Sequence, residues 1–417
     1  MSNSTTDTYA LKRKILNFTN SLSYKLTKPN RKFMADIVYG MLASRSCLLT
    51  DIADQLHERS KKVNVVERLS KHLRTGTPNS ALRPYLLWVK KHTPSCPTVH
   101  IDDTDIVKPN GYKFESLGVV RDGSRSATNK NVYEKGYRVT EAVAVTKTGN
   151  PISLFSHIHS SKEKSYKSTN SITFSAMERA AKLFGKATFV MDRGYDNNKT
   201  FQKLDALGQD YVLRITKKRN LFYQNKWVSA TELCNRRKGK IRMPLFYHGK
   251  EHTAYVSHIK ARITASRRNV NLVLIYGITQ HPMMLVTNKK IHSKDDVIGI
   301  AKQYFSRWRV EEYFRCKKQE FQFENFRVRK LRAINALNFY MTISMAFLAM
   351  LAEQSETNAL KVAVIKKANP VKEKVQFCYY RLARGIQGIL AYAHEGIRLW
   401  FRTKRPSYCQ LRFRLPP

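Results

Sequence analysis

The sequence predicts a mixed α/β protein with an all-helical N-terminal domain, a β-rich insertion and a basic, helical C-terminal region. Three observations support this fold class. Apolar residues recur at helical spacing from about residue 8 to residue 95, apolar strands alternate with helices after Pro97, and residues 216–290 contain mainly short strand-like runs. Alternating strands and helices are typical of a sheet covered by helices, so we expect the central sheet to begin after Pro97.

The composition indicates a folded protein that binds a polyanion. Of 417 residues 42% are hydrophobic, and 75 Lys and Arg outnumber 31 Asp and Glu, which gives a formal charge of +44. Nucleic acid is the first candidate to balance such a field. A membrane surface is the other, but the longest apolar run, Phe339–Ala352, has 14 residues, and about 20 are needed to cross a bilayer. With a polar N-terminus and six scattered cysteines, we expect a cytoplasmic protein with reduced thiols.

The N-terminal segment, residues 1–95, is predicted to be a helical DNA-binding domain. Amphipathic runs separated by polar breaks are predicted at 9–26, 31–43, 50–56 and 63–73. The last two runs form a candidate helix-turn-helix, whose second helix would offer Arg68, Lys71 and Arg74 to DNA. Because any small helical bundle has this pattern, the high positive charge is what favours DNA docking.

Residues 96–215 are predicted to form the first part of the core. Three strands, a helix, a strand, a helix and a strand are predicted at 98–102, 137–146, 151–156, 171–184, 187–191, 200–207 and 211–215. Asp102 and Asp192 each come at the end of, or directly after, an apolar strand. Because a sheet of this kind collects ligands at strand ends, these two carboxylates are candidates for one site.

Three further segments complete the predicted organisation. Residues 216–290 are the β-rich insertion, residues 291–352 return to the core, and residues 353–417 form the basic C-terminal region. A capping-box pattern at 293–296 marks the start of a long helix, and a second, apolar helix is predicted over 331–352. The basic residues noted in the C-terminal region are Arg381, Arg384, Arg398, Arg402, Lys404 and Arg405.

The long helix carries the most informative motif of the chain. At about 100° per residue, Tyr304, Arg307, Glu311 and Lys318 fall on one side of a helix, at roughly 0°, 300°, 340° and 320°. We call these four the signature residues. One carboxylate then lies between two cations and a phenol, which suits a metal-binding acid beside phosphate-binding groups, whereas Glu312 would point about 100° away. A solvated face with ordinary ion pairs is the alternative for this motif taken alone.

Asp102, Asp192 and Glu311 are the candidate catalytic and metal-binding acids. Two-metal phosphoryl transfer needs acidic oxygens from separate elements to hold two Mg²⁺ ions roughly 3.5 to 4 Å apart. Asp102 is preferred on the first strand, and Asp103 and Asp105 stay open as alternatives. An aspartate at a strand end also serves as a turn former or helix cap, which is the structural alternative for Asp192.

These residues resemble the DDE-type transposases of bacterial insertion sequences, specifically the insertion-sequence-four family. That family is marked by Tyr, Arg, Glu and Lys separated by two, three and six residues, and the signature residues match this spacing. The stretches 101–106 and 191–196 fit the first and second acidic strands, and the β-rich insertion falls between the second and third acids. The resemblance covers roughly residues 98–330.

The resemblance implies a ribonuclease-H-like core in which Asp102, Asp192 and Glu311 bind two Mg²⁺ ions, with Mn²⁺ able to substitute. It implies cleavage at the ends of an insertion sequence and attack of the freed 3′-OH on target DNA, by a homodimer that bridges two terminal inverted repeats. The other signature residues and Arg193 would contact DNA phosphates. Trp227 would hold a flipped base, although a core or surface position is favoured for it. The expected location is the bacterial nucleoid.

Other functions stay open at this level. A domesticated or inactive relative that only binds specific DNA needs the same charge and fold, but the presence of all three acids argues against it. A metal-dependent nuclease without strand transfer would share the site, because many phosphodiester enzymes use this core. A basic structural protein explains the charge but leaves the acids and the signature residues without a role.

Overall fold

The computed structural model describes residues 2–123, 125–126, 130–247, 250–368 and 377–397. The chain forms two compact units. The sheet unit comprises residues 85–316, and the helical unit comprises residues 1–84 together with 317–417. The predicted segment 291–352 is thus divided between the two units, and the functions assigned to the five predicted segments stay predictions. The predicted basic residues Arg398, Arg402, Lys404 and Arg405 lie outside the described residues.

The chain begins with five helices. They are α1 (Ser2–Ser23), α2 (Lys28–Ser44), α3 (Leu49–Gln55), α4 (Lys62–Arg74) and α5 (Asn79–His92). The four predicted helical runs correspond to α1 to α4. The fifth helix, which contains Pro84, is additional to the prediction.

The candidate helix-turn-helix corresponds to α3 and α4, and one of its predicted DNA contacts, Arg68, forms ion pairs within the helical unit. Arg68 donates to Asp36 at 3.0 Å and to Glu58 at 2.5 Å, and the carboxylate of Asp36 is buried. The guanidinium is therefore used inside the helical unit. Lys71 and Arg74 are exposed.

The sheet unit contains the predicted order of strands and helices. Its first elements are β1 (Thr98–Val107), β2 (Gly118–Arg121), β3 (Tyr133–Val145), β4 (Pro151–His159), α6 (Thr169–Phe184), β5 (Thr188–Met191), α7 (Asn198–Ala206) and β6 (Asp210–Arg214). β2 is additional to the prediction. β1 continues to Val107 instead of ending at Asp102, because β3 pairs with it as far as Val107 opposite Gly136.

The predicted insertion continues the central sheet. It contains β7 (Asn220–Tyr223), β8 (Lys226–Ser229), α8 (Ala230–Asn235), β9 (Ile241–Tyr247), β10 (Lys250–Ile263), β11 (Arg268–Tyr276) and β12 (Met283–Thr287). β12 pairs antiparallel with β6, so the strand order is β2-β3-β1-β5-β6-β12-β11-β10-β7-β8, with β4 beside β3 and β9 beside β10. β1, β5 and β6 are parallel neighbours.

In the described part of the chain, five helices follow the insertion. They are α9 (Lys294–Phe305), α10 (Trp308–Glu320), α11 (Leu331–Ala352), α12 (Ala359–Lys367) and α13 (Tyr379–Leu390). The predicted capping box is confirmed, since Ser293 and Asp296 bond each other's backbone N–H groups at the start of α9. The apolar face of α9, with Val297 and Ile300, belongs to the same core cluster as Val190 of β5 and residues of the insertion strands. This packing holds α9 against both parts of the sheet.

α11 lies at the centre of the helical unit. Nearly every residue of this helix is buried, and Tyr340 packs edge-on against Phe33 of α2 with ring centroids 5.1 Å apart. By length and mean hydropathy (1.5), α11 is the one described helix that could cross a membrane, but 89% of its most apolar stretch is buried inside the protein. A helix in the core of a soluble protein can have the same length and mean hydropathy as a helix that crosses a membrane. The burial supports the core interpretation of this helix over a dimer contact surface.

Candidate active site

Asp102 and Asp192 lie where two parallel strands part. β1 and β5 pair as far as His100 opposite Val190, and β5 ends at Met191, directly before Asp192. Beyond this point β1 continues along β3. The side chains of Asp102 and Asp192 are 23% and 33% exposed. The parting of the strands therefore leaves both acids partly open to solvent.

The signature residues lie on two helices, and the prediction of a single helix is wrong. Tyr304 is near the end of α9, Glu311 and Lys318 are on α10, and Arg307 lies in the turn between the helices. The turn is tight because the Arg307 N–H donates to the carbonyl of Tyr304 at 3.0 Å. The Ser306 hydroxyl also donates to a backbone carbonyl three residues earlier, at 2.7 Å, a side-chain bond that competes with a continuous helix.

Each of the three candidate acids accepts a hydrogen bond from one of two signature residues, Tyr304 or Arg307. The Tyr304 hydroxyl donates to Asp192 Oδ1 at 3.1 Å. Arg307 Nη1 donates to Asp102 Oδ2 at 2.9 Å, and Arg307 Nη2 donates to Glu311 Oε1 at 2.5 Å. Burial opposes the charge of Arg307, but the two carboxylates outweigh burial and raise the pKa of its guanidinium. One cation thus occupies the space between two acids.

Of the three aspartates in β1, Asp102 is the one for which the described contacts include a signature residue. Side chains alternate between the faces of a strand, and Asp103 accepts instead from Thr140 Oγ1 at 2.6 Å, while Asp105 is 3.9 Å from Arg138. Burial raises the pKa of Asp102 to about 7 and also raises the pKa of Asp103. The contact with Arg307 favours Asp102 over the two alternatives.

The donor set suits a hard divalent cation. Carboxylate oxygens are the protein ligands that Mg²⁺ prefers, and Asp102 and Glu311 already share one cation, the guanidinium of Arg307. Among the described residues no group of three or more His, Cys, Asp or Glu side chains is close enough to hold a metal ion. In this arrangement the two carboxylates neutralise Arg307, and a divalent ion bound to them would have to displace its guanidinium.

Several residues of the site were missed by the sequence analysis. The Ser306 hydroxyl lies 3.2 Å from His100 Nε2, which connects the turn to β1. Burial, helped by Arg309 and Arg307, lowers the pKa of His100 to about 3, so its ring is neutral. Arg214 Nη1, at the end of β6, is 3.9 Å from an oxygen of Asp192. Of these residues, Arg214 had a weak sequence signal, as a cation next to the end of the predicted strand 211–215.

The remaining predicted DNA contacts are spread over the molecule. Arg193 is exposed in a short 3₁₀ turn directly after Asp192. Trp227 lies on β8 in the β7–β8 hairpin. Its side chain is 47% exposed, which leaves it accessible for the predicted contact with a flipped base. Lys318 belongs to the helical unit, where its ammonium is 2.9 Å from Glu324.

A known family matches the part of the chain that contains the candidate acids. The sequence model described as the transposase DDE domain matches residues 97–347, more than half of the chain, and the protein belongs to this family. It is therefore a transposase in the general sense, an enzyme whose substrate is DNA. The matched region contains the candidate acids and the signature residues. No curated protein matches the chain.

Proposed function

We propose that the protein is a cut-and-paste transposase of the insertion-sequence-four family. It cleaves phosphodiester bonds at the ends of an insertion sequence and joins the freed 3′-OH to target DNA, with Mg²⁺ as its cofactor. The contacts of Tyr304 and Arg307 with Asp192, Asp102 and Glu311 carry this proposal. A solvated face of ordinary ion pairs does not explain why two signature residues meet every candidate acid.

The sheet topology supports a ribonuclease-H-like core. β4, β3 and β1 are antiparallel neighbours, and β5 and β6 continue the sheet parallel to β1. Asp102 lies on β1 and Asp192 directly follows the parallel neighbour β5, and the α9–α10 turn brings Glu311 to Asp102 through Arg307. The insertion enters after the second acid and leaves before the third, as the resemblance implies.

Asp102, Asp192 and Glu311 are the proposed ligands of two Mg²⁺ ions, with Mn²⁺ able to substitute. Such ions, when bound, activate the attacking oxygen and stabilise the leaving oxygen of a phosphodiester. The chain supplies the positions of the ligands. The point where β1 and β5 part fixes the positions of the two aspartates. The packing of α9 on the sheet fixes the position of the Tyr304 hydroxyl, which donates to Asp192.

Tyr304, Arg307, Lys318 and Arg193 are the proposed contacts to DNA phosphates, and Trp227 is the proposed contact to a flipped base. In this proposal Arg307 has two roles. It balances two carboxylates in the protein, and its guanidinium would bind phosphate once a metal ion takes its place beside those carboxylates. We also propose that two copies of the chain bridge the two terminal inverted repeats.

The test is a reaction of the purified protein with Mg²⁺, DNA that spans the native borders of its gene, and a supercoiled target. Glu311→Ala removes a proposed ligand. Glu312→Ala is the matched control on the same helix, because Glu312 forms its ion pair with Arg315. Border cleavage and joined products in the wild type and the control, but not in Glu311→Ala, are the expected result.

Two other results would assign the protein to another function. Border cleavage without joined products identifies a metal-dependent nuclease. DNA binding without cleavage, over a range of Mg²⁺ and Mn²⁺ concentrations, identifies a domesticated or inactive relative. Light scattering of the complex with border DNA measures whether two copies of the chain are present.

A further inference from the structure

The helical unit contains a cleft that the proposed active-site contacts do not use, and Arg74 is its one described lining residue that the sequence analysis offered to DNA. It encloses about 660 Å³ between the C-terminal part of α4, the residues that precede and begin α3, and the segment 327–330 that leads into α11. Four of its lining residues are the cations Arg74, Arg327, Arg329 and Lys330. Its described lining contains no Asp or Glu.

The segment 327–330, which we call the basic segment, is held so that its cations face outward. Residues 326–329 belong to no helix or strand, and more buried and exposed side chains alternate along them. Phe326 is buried and Val328 is partly buried, whereas Arg327 and Arg329 are exposed. The apolar residues therefore anchor the segment, and the arginines between them project to solvent.

Gly76, just after α4, allows a close approach to the start of α11. Its φ angle is +84°, which favours glycine, and a Cβ atom at this position would lie 2.5 Å from Nε of Arg332. The side chain of Arg332, near the N-terminal end of α11, therefore packs directly against the backbone that follows α4. This contact fixes Arg74 on one wall of the cleft relative to the basic segment on the other.

Arg68 and Arg74, the two arginines of α4, have different surroundings. Arg68, on the same helix, is held by Asp36 and Glu58. Arg74 lines the cleft and is exposed, and the polar groups that line the cleft beside it include the hydroxyl side chains of Thr50 and Ser70. Cations and hydroxyl groups are the side chains that most often contact phosphate oxygens of DNA.

We propose that this cleft binds the phosphate backbone of duplex DNA without selecting bases. The proposal rests on the proposed function in one respect, that DNA is the substrate. The exposed guanidinium groups of Arg74, Arg327 and Arg329 provide the affinity, because each phosphate contact releases a condensed counterion. The cleft is thus a second DNA-binding surface, formed by residues of the helical unit alone.

The test measures duplex binding by fluorescence anisotropy over a range of salt concentrations, with the full chain in EDTA. The triple variant Arg74→Gln, Arg327→Gln and Arg329→Gln removes three cations from the cleft. The triple variant Lys28→Gln, Arg31→Gln and Lys32→Gln removes three exposed cations of the same unit that do not line it. Thermal unfolding followed by circular dichroism checks that both variants fold.

The cleft variant is expected to reduce the slope of log K against log salt by about 2 to 3, equally for border DNA and for an unrelated duplex. Equal losses in the cleft and control variants would overturn the proposal, because net charge alone would explain them. A loss limited to border DNA, or a larger loss for double-stranded RNA than for DNA, would also overturn it. Since no divalent metal is present, failure of the cleavage reaction leaves this result unaffected.

Discussion

The candidate active site and the basic cleft use arginine in opposite ways. The side chain of Arg307 is 16% exposed and lies between two carboxylates. Arg74, Arg327 and Arg329 are exposed, in a cleft whose described lining has no acid. The first arginine balances charge within the protein, and the other three are exposed to solvent. In a chain of net charge +44, the positions of the few acids therefore decide which cations are available to DNA.

The largest expected effect comes from removing an acid of the candidate active site. Asp192→Ala or Glu311→Ala should reduce border cleavage by about a thousandfold or more, since a metal ligand contributes several kcal/mol to the transition state. DNA binding should be kept or strengthened, because a negative charge near phosphate is lost. Cleavage rates and anisotropy on the same border duplex measure both effects. Loss of binding in both variants would contradict the metal-site assignment.

A smaller effect is expected when the enclosed cation itself is removed. Arg307→Ala leaves Asp102 and Glu311 without their shared partner and should lower the free energy of unfolding by about 2 kcal/mol. Mg²⁺ should restore part of this stability, because the two carboxylates can then share a metal ion. Urea unfolding with and without Mg²⁺ measures the effect.

Arg315→Ala is the matched control for that experiment. Its ion pair with Glu312 is on the same helix, but the side chain of Arg315 is 57% exposed. The expected loss of stability is below about 0.5 kcal/mol, with no response to Mg²⁺. If Arg307→Ala behaved like this control, the shared cation would have no role in holding the acids.

The smallest effect is expected at Lys318. Lys318→Ala should reduce the salt slope of border binding by about one, the value for a single phosphate contact, and should leave thermal unfolding almost unchanged. Glu324→Gln removes the carboxylate next to this ammonium and should keep the slope or increase it. An unchanged slope in Lys318→Ala would remove this residue from the phosphate contacts and would leave the cleft as the DNA surface of the helical unit.

Local patterns predict much of the fold and part of the site. Asp192 follows β5 as expected, the capping box starts α9, and the order of strands and helices in the core is confirmed. The break between α9 and α10 was not predicted, because the contact of Ser306 with His100 joins positions 206 residues apart. The pairing of β12 with β6, which joins the insertion to the sheet, also depends on residues that are distant along the chain.

The sequence by itself determined the net charge, the candidate acids and the spacing of the signature residues. Only the tertiary structure decided which cations are enclosed. Arg68 and Arg74 are six positions apart on one helix, yet Arg68 is bound by two acids and Arg74 lines the cleft. Spacing along a helix determines contacts over one or two turns. Asp36 lies on α2, and this pairing with Arg68 exists because folding packs α2 against α4.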